Sequence, residues 1–397
     1  MSASQQITLD YDVDFSVDDV PDLPAVLHRV RSEKPVAWVK GYGEPALLLT
    51  SYDLVSEMLS DEESFPAPAF YGQLSTEIMG RHMLAMTGTE HRVNRALVSP
   101  SFRPRLMPYL QGAMFEPLAH QLIDEFEARG SAELVSEFTR IYPARIIMGL
   151  MGLPLEMDAE VHRWAVGVLD WRTSFDEAMA CSEAFAAFVD PILQQRRVDP
   201  GDDLISMLAT TELDGERLTD EEIFGFLKLL FPAGADTTYL NLGSTLFALL
   251  TYPDEMTKLR EDLASGCRWA AEEGLRWYPA VAAQTRTCPA DTVWHGIAIP
   301  AGTLILSSLL AANRDPAVFP DPDRFDVRRR PNRAATFGHG VHVCLGSHLA
   351  RAEMEVALRV LLERLPKLRW STTEGVRLHG VIGQSMRGPN KLPVRFD

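Results

Sequence analysis

Cationic side chains are in short supply: 38 lysines and arginines stand against 55 aspartates and glutamates, a formal net charge of −17. Phosphate contacts need clustered Lys and Arg, so a nucleic-acid-binding protein is excluded. Cysteine is also scarce. Cys181, Cys267, Cys288 and Cys344 are far apart and form no Cys-x-x-Cys pair, so neither a disulfide framework nor a zinc site is expected. No apolar run is long enough to span a bilayer. The opening Met1-Ser2-Ala3-Ser4-Gln5-Gln6 lacks the basic region and apolar core of a signal peptide. The expectation is a soluble, cytoplasmic protein without membrane or nucleic-acid partners. Internal repeats and low-complexity linkers are missing too. At 397 residues and 46% hydrophobic content, the chain is sufficient for one large core.

What is present centres on Phe337-Gly338-His339-Gly340-Val341-His342-Val343-Cys344-Leu345-Gly346. Gly338 and Gly340 allow tight turns and leave room for a flat ligand to approach the backbone. Leu345, Leu349, Ala352, Val356 and Val360 then recur at helical spacing until Pro366. Cys344 is thus expected at or just before a helix N-terminus, where a thiolate is favoured over a thiol and can ligate a redox-active metal. Taken singly, a cysteine beside a glycine is more often a buried free thiol.

The longest helical run is Leu218 to Leu250, with Thr219 and Glu222 as a capping box and Pro253 after its end. Roughly 32 residues at 1.5 Å each span about 48 Å. Its middle, Phe231-Pro232-Ala233-Gly234-Ala235-Asp236-Thr237-Thr238, breaks helix rules. Pro232 cannot donate to the carbonyl of Lys228, Gly234 weakens the turn, and Thr237 can bend the helix by bonding back to Ala233. A buried Asp236 there needs a reason. His91 and Arg95 share a helical face, as do Glu273 and Arg276. Elsewhere Pro35 to Thr50 reads as a hairpin, Tyr52 to Leu59 as a helix, and Ser64 to Met86 as an apolar loop. Met107 to Gln195 reads as helical with turns at Gly130 and Gly152-Leu153-Pro154. Trp269 to Tyr278 reads as a helix, Ala280 to Leu309 as short strands, and Leu378 to Arg387 as a hairpin.

The pattern Phe-Gly-x-Gly-x-His-x-Cys-x-Gly resembles the haem-binding loop of the cytochrome P450 family, and the other stretches fall in that family's order. The resemblance implies a mainly α fold with small β-sheets (α+β), a single domain over 1–397, with β-rich portions near 20–50, 280–310 and 376–397. It implies haem b with Cys344 as the axial iron ligand. Phe337, Gly338, Gly346 and Ala233 would contact the ring, and His91, Arg95, Arg286 and His342 its propionates. Asp236 and Thr237 would relay protons, as in the family's (Ala/Gly)-Gly-x-(Asp/Glu)-Thr-Thr motif. Glu273 and Arg276 would hold the cysteine segment through Arg329, with Arg324 as the alternative. Phe70, Leu74, Leu229, Ala233, Ala282 and Ile382 would line an apolar substrate pocket.

The activity so implied is insertion of one oxygen atom of O2 into a lipophilic molecule. Electrons would come from a separate ferredoxin and ferredoxin reductase, with the chain acting as a monomer. The segment Arg324 to Arg333 is a basic island suited to docking an acidic ferredoxin. A peroxide-driven peroxygenase and a non-catalytic haem sensor are the alternatives.

Overall fold

The computed structural model describes residues 7–16, 19–169, 171–172, 174–213, 215–331, 333–382 and 386–397; the side chains of Leu74 and Ile382 lie outside that description. Leu23, Leu27 and Val30 recur one helical turn apart behind Pro24 and are buried, and Leu23–Glu33 forms helix α1. The expectation of a β-rich portion from about residue 20 is corrected accordingly. Strand β1 begins only at Val36 (Val36–Gly41) and turns into β2 (Glu44–Leu49). The turn residues Tyr42 and Gly43 have φ of 53° and 83°, the paired positive angles of a two-residue hairpin turn. The Asp14 carboxylate accepts from both of their amides, at 3.2 and 2.6 Å.

Helix α2 (Tyr52–Ser60) follows as expected. The Ser64 to Met86 stretch is less irregular than its prolines and glycines suggest. It contains short helices at Pro68–Tyr71 and Gln73–Met79 and a single turn at Met83–Ala85. Ile78 and Met79 anchor it among Val168, Trp171 and Ala178. Next come α3 (Gly88–Val98), α4 (Ile141–Met151), α5 (Asp158–Leu169) and α6 (Phe175–Val198).

Helix α7 runs unbroken from Asp220 to Thr251, 32 residues. Thr219 and Glu222 close its capping box reciprocally, at 3.2 and 2.9 Å. The helix is buried on most of its circumference, which makes it the axis of the core. Pro232 does not interrupt it. Gly234 serves a crossing: a Cβ there would sit 2.5 Å from Ile147 Cδ1 of α4.

Helix α8 (Leu263–Trp277) starts earlier than expected, because Asp262 accepts the Ser265 amide as its cap. Strands β3 (Ala283–Thr287) and β4 (Leu304–Ser308) pair antiparallel, and β4 lies parallel to β2 with Ala46 opposite Leu304. The main sheet is thus ordered β1-β2-β4-β3. Helix α9 (Ser347–Arg364) leaves the cysteine loop, and the hairpin of β5 (Leu378–Ile382) and β6 (Met386–Pro389) follows it; its turn, 383–385, is not described. The architecture is mainly helical with small sheets. Among the described residues no helix is long and apolar enough to cross a membrane.

Candidate active site

A cavity of about 770 Å³ lies between α7 and the loop ahead of α9. Phe337, His342, Cys344 and Gly346 form one wall. Gly338 and Gly340 carry the loop through φ of 72° and 74°. Only glycine fits position 340, where a Cβ would stand 2.6 Å from the Leu59 carbonyl oxygen. The Cys344 amide donates to the Phe337 carbonyl at 2.9 Å, fixing the thiol's direction. The thiol faces the cavity, so its surface is accessible although it lies deep in the molecule. That depth pushes the thiol up from its ordinary value, while the Gly346 amide and the charges of Arg95 and Arg351 oppose the rise. The expected helix-terminus effect is therefore outweighed. Helix α9 begins only at Ser347, and desolvation prevails at the sulfur.

The edge of this wall gathers the expected anion-binding side chains. His91 lies on α3 and its ring centroid is 4.3 Å from that of His342. Arg95, one turn along α3, donates from Nη2 to the Val343 carbonyl at 2.6 Å. Burial, then the charges of His342 and Arg95, depress His91 to about 4. Arg286 projects from β3, buried, with one bond to the Thr285 carbonyl at 3.1 Å. His91 Nε2 and Arg286 Nε are buried without partners among the described residues. Two orphaned donors at one edge call for an acceptor. Glu62 joins this cluster unannounced by the sequence, with its Oε1 3.3 Å from His342 Nε2. Burial would raise its carboxyl, but His342, the Ala67 amide and the charge of Arg286 hold it below the ordinary range.

The opposite wall is α7. Ala233, Gly234 and Thr237 line the cavity, and Thr237 Oγ1 donates back to the Ala233 carbonyl at 2.6 Å. Asp236 points away from the cavity into the core, only 3% exposed, with both oxygens unpartnered. His162 Nδ1 of α5 lies 3.5 Å from Asp236 Oδ1. Burial raises Asp236 to about 7 against the charge of Arg140, and lowers His162 to about 4. The two therefore meet as a neutral imidazole and a protonated carboxyl below neutrality, not as an ion pair.

Phe70 and Leu229 line the cavity as expected, with Met79, Leu230, Val281 and Met386. Ala282 does not. It is buried in the core and its carbonyl accepts the Leu310 amide at 3.1 Å. Its neighbours Val281 and Ala283 take the wall, followed by Gln284 and Thr285.

The family model described as Cytochrome P450 matches residues 168–266 and 267–378. This chain is a cytochrome P450. The mycinamicin IV hydroxylase/epoxidase of Micromonospora griseorubida is 35% identical over 376 residues, 92% of this chain and 94% of that protein. The 6-deoxyerythronolide B hydroxylase of Saccharopolyspora erythraea is 32% identical over 389 residues, 93% and 95% of the two chains. Among solved structures, the Bacillus subtilis bacillaene polyketide synthase cytochrome P450 PksS superimposes with a TM-score of 0.86 at 31% identity, covering 95% of this chain and 97% of that one. P450BioI in complex with hexadec-9Z-enoic acid ligated acyl carrier protein gives 0.87 at 29% identity, covering 95% and 98%.

Membership makes the protein an oxygen-incorporating oxidoreductase with a haem-thiolate cofactor. The residues present fit that group: a cavity-facing thiol, a loop that admits a flat ring, and orphaned donors at one edge. Behind the loop, the P450 shell is a buried network. Arg276 and Glu273 of α8 are paired at 2.7 Å with neither side chain exposed. Arg329 Nε reaches Glu273 Oε1 at 3.2 Å. Arg324 turns instead to Glu255 and Asp326, at 3.9 Å each. The Glu273 oxygen also accepts the Asp326 amide at 3.0 Å, which ties α8 to the segment before the cysteine loop.

Four residues of this P450 site were not singled out from the sequence. Glu62, His162 and Gln284 sit far in sequence from the groups they face. Gln284's amide would meet a Cβ at Gly338 within 3.2 Å. Glu353 lines the cavity from α9, fully buried with both oxygens unpartnered, and burial raises its carboxyl well above the ordinary range. A search for buried acids on apolar helix faces would have found Glu353, but not what it faces.

Proposed function

We propose that this P450 binds haem b through Cys344 and inserts one atom of O2 into a lipophilic small molecule. Its electrons come from a separate ferredoxin and ferredoxin reductase, and it works as a cytoplasmic monomer. The observation that carries this reading is the pairing of a largely apolar cavity with Asp236 and Thr237 on one turn of α7. A haem sensor or electron carrier has no use for a substrate-sized apolar space. Relatives support the substrate class: one is named as a hydroxylase/epoxidase of mycinamicin IV and another as a hydroxylase of 6-deoxyerythronolide B. A macrolide precursor, steroid, terpenoid or aromatic body fits an apolar cavity of this kind.

When bound, haem supplies the binding and activation of dioxygen. The chain's part is to place, shield and deliver. His91, Arg95, Arg286 and His342 would hold the carboxylate edge of the ring, and Phe337, Gly338, Ala233 and Gly346 would leave space for its faces. Phe70 and Leu229 orient the substrate and exclude water. Thr237 keeps a hydroxyl at the cavity wall, poised on the Ala233 carbonyl. Releasing that bond frees Oγ1 to pass a proton into the cavity. Asp236 holds the next proton at Oδ1, since its carboxyl is half-protonated at about pH 7. His162 Nδ1 faces that oxygen from α5 at 3.5 Å.

The test is a screen of lipophilic compounds for displacement of iron-bound water by absorbance, followed by product analysis with NADH, a ferredoxin and its reductase. Oxygenated product formed at the expense of NADH is the expected result. Product with hydrogen peroxide but none with ferredoxin would mean a peroxygenase. The variant Thr237→Ala should still consume NADH but lose most of its product to uncoupled oxygen reduction.

A further inference from the structure

The basic or acidic side chains on the cavity wall are His91, Arg95, His342, Glu353 and Arg172. Three of these gather at the edge assigned to the cofactor, and Glu353 lies buried on α9. Arg172 stands apart, in the connection between α5 and α6. Its guanidinium carbon lies 4.5 Å from the ring centroid of Tyr42, 5.3 Å from Phe70 and 5.5 Å from Trp171. Phe70 also packs edge-on against Trp171 at 5.7 Å. The collar is thus built from the β1–β2 turn, the short helix Pro68–Tyr71 and the α5–α6 connection together. Aromatic faces hold the guanidinium in place without using its N–H groups.

No carboxylate lies within ion-pair distance of Arg172 among the described residues, and its side chain is exposed. Asp14, at the base of the Tyr42 turn, already accepts the Ser16, Tyr42 and Gly43 amides. Among the described residues, then, a positioned cation without a carboxylate partner borders a cavity that Met79, Met83, Leu169, Leu229, Val281 and Met386 also line. A cation held there, away from the other basic side chains of the wall, selects for a ligand of one negative charge.

We propose that Arg172 anchors a substrate carboxylate, and that the substrate is a lipophilic acid with its apolar body in the cavity and its acid group in the aromatic collar. This rests on the monooxygenase reading above and narrows its substrate class. A guanidinium offers a carboxylate two parallel N–H donors, which fixes the acid end and so determines how far along the body the cavity's reactive end falls.

The test uses haem-loaded protein and three ligands of one length: dodecanoate, methyl dodecanoate and dodecanol. Binding is read by calorimetry and by the haem absorbance shift, and oxidation by product analysis. Dodecanoate should bind about tenfold or more tighter than the two neutral ligands, the factor expected for one charge-assisted contact. Arg172→Gln should erase that preference and leave dodecanol affinity unchanged. Arg172→Glu should transfer the preference to dodecyltrimethylammonium. Equal binding of dodecanoate and dodecanol by the unaltered protein, or equal weakening of both in Arg172→Gln, overturns the anchor. The two readings fail separately. A charge preference without any oxygenated product retains the anchor and removes the monooxygenase; product without a charge preference does the reverse.

Discussion

Asp236 is buried at a cost, and the proposed proton delivery gives that cost a purpose. Desolvation raises its carboxyl from 3.8 to about 7, against the charge of Arg140. A carboxyl whose folded value lies above its unfolded value binds more protons when folded, so stability falls as pH rises between the two. Between about pH 4 and pH 7 the protein should lose stability through this group, with the full penalty present above pH 7. Asp236→Asn keeps the shape and removes the titration. It should raise stability by roughly 1.5 kcal/mol at pH 5 and by up to roughly 4 kcal/mol at pH 8, with the thermal midpoint rising more at the higher pH. Thermal unfolding of both proteins at the two pH values checks this. An equal shift at both would mean that the carboxyl does not titrate near neutrality. Product coupling should fall at either pH, because the amide holds no transferable proton. The motif around this acid was plain in the sequence. Its partner was not, because His162 lies 74 positions away on a helix with no distinguishing pattern of its own.

At the scale of elements, α7 was legible in its extent. Its capping box, length and Thr237 back-bond follow from local rules that need no tertiary knowledge. Pro232 obeys a local rule too, yet the helix continues through it, held by burial on nearly every side. Helix α1 shows the opposite failure. Its apolar spacing and Pro24 were legible, but the neighbouring hairpin drew the strand assignment over it. Ala282 was misplaced because strand phase depends on where β3 begins, which composition does not fix. The proline allows a direct measurement. Replacing Pro232 by Ala returns an amide to the Lys228 carbonyl and removes the ring clash, worth about 3 kcal/mol in an ordinary helix interior. Loss of buried ring contacts offsets roughly 1 kcal/mol of that. Pro232→Ala should therefore be more stable by about 1–2 kcal/mol in denaturant unfolding. A destabilised variant would show that the fold has adapted its carbonyl partners around the proline.

On the scale of the whole molecule, the question is how a protein of net charge −17 would meet the acidic ferredoxin proposed as its electron donor. Charges further off than about 8 Å are screened at physiological salt, so the local patch decides and the total does not. Arg324 to Arg333 is that patch, and most of it is already engaged. Arg328 pairs with Glu261 at 2.6 Å, and Arg329 is bound to Glu273. Arg330 lies instead over the Trp269 ring at 4.5 Å and donates to the carbonyls of Arg328 and Arg329. Among the described residues it has no carboxylate partner, so its charge is free to act outward. It stands a few residues ahead of the Cys344 loop, whose Val341 and Val343 are also exposed, at 52% and 39%. Steering by such a charge changes the association rate, and salt suppresses it. Arg330→Glu should slow the first electron transfer from ferredoxin about tenfold at low ionic strength and by less than about twofold in 0.5 M salt. Stopped-flow reduction under carbon monoxide measures both rates. Slowing that is independent of salt would assign Arg330 to the packing of its own loop on Trp269 and move the docking surface elsewhere on the molecule.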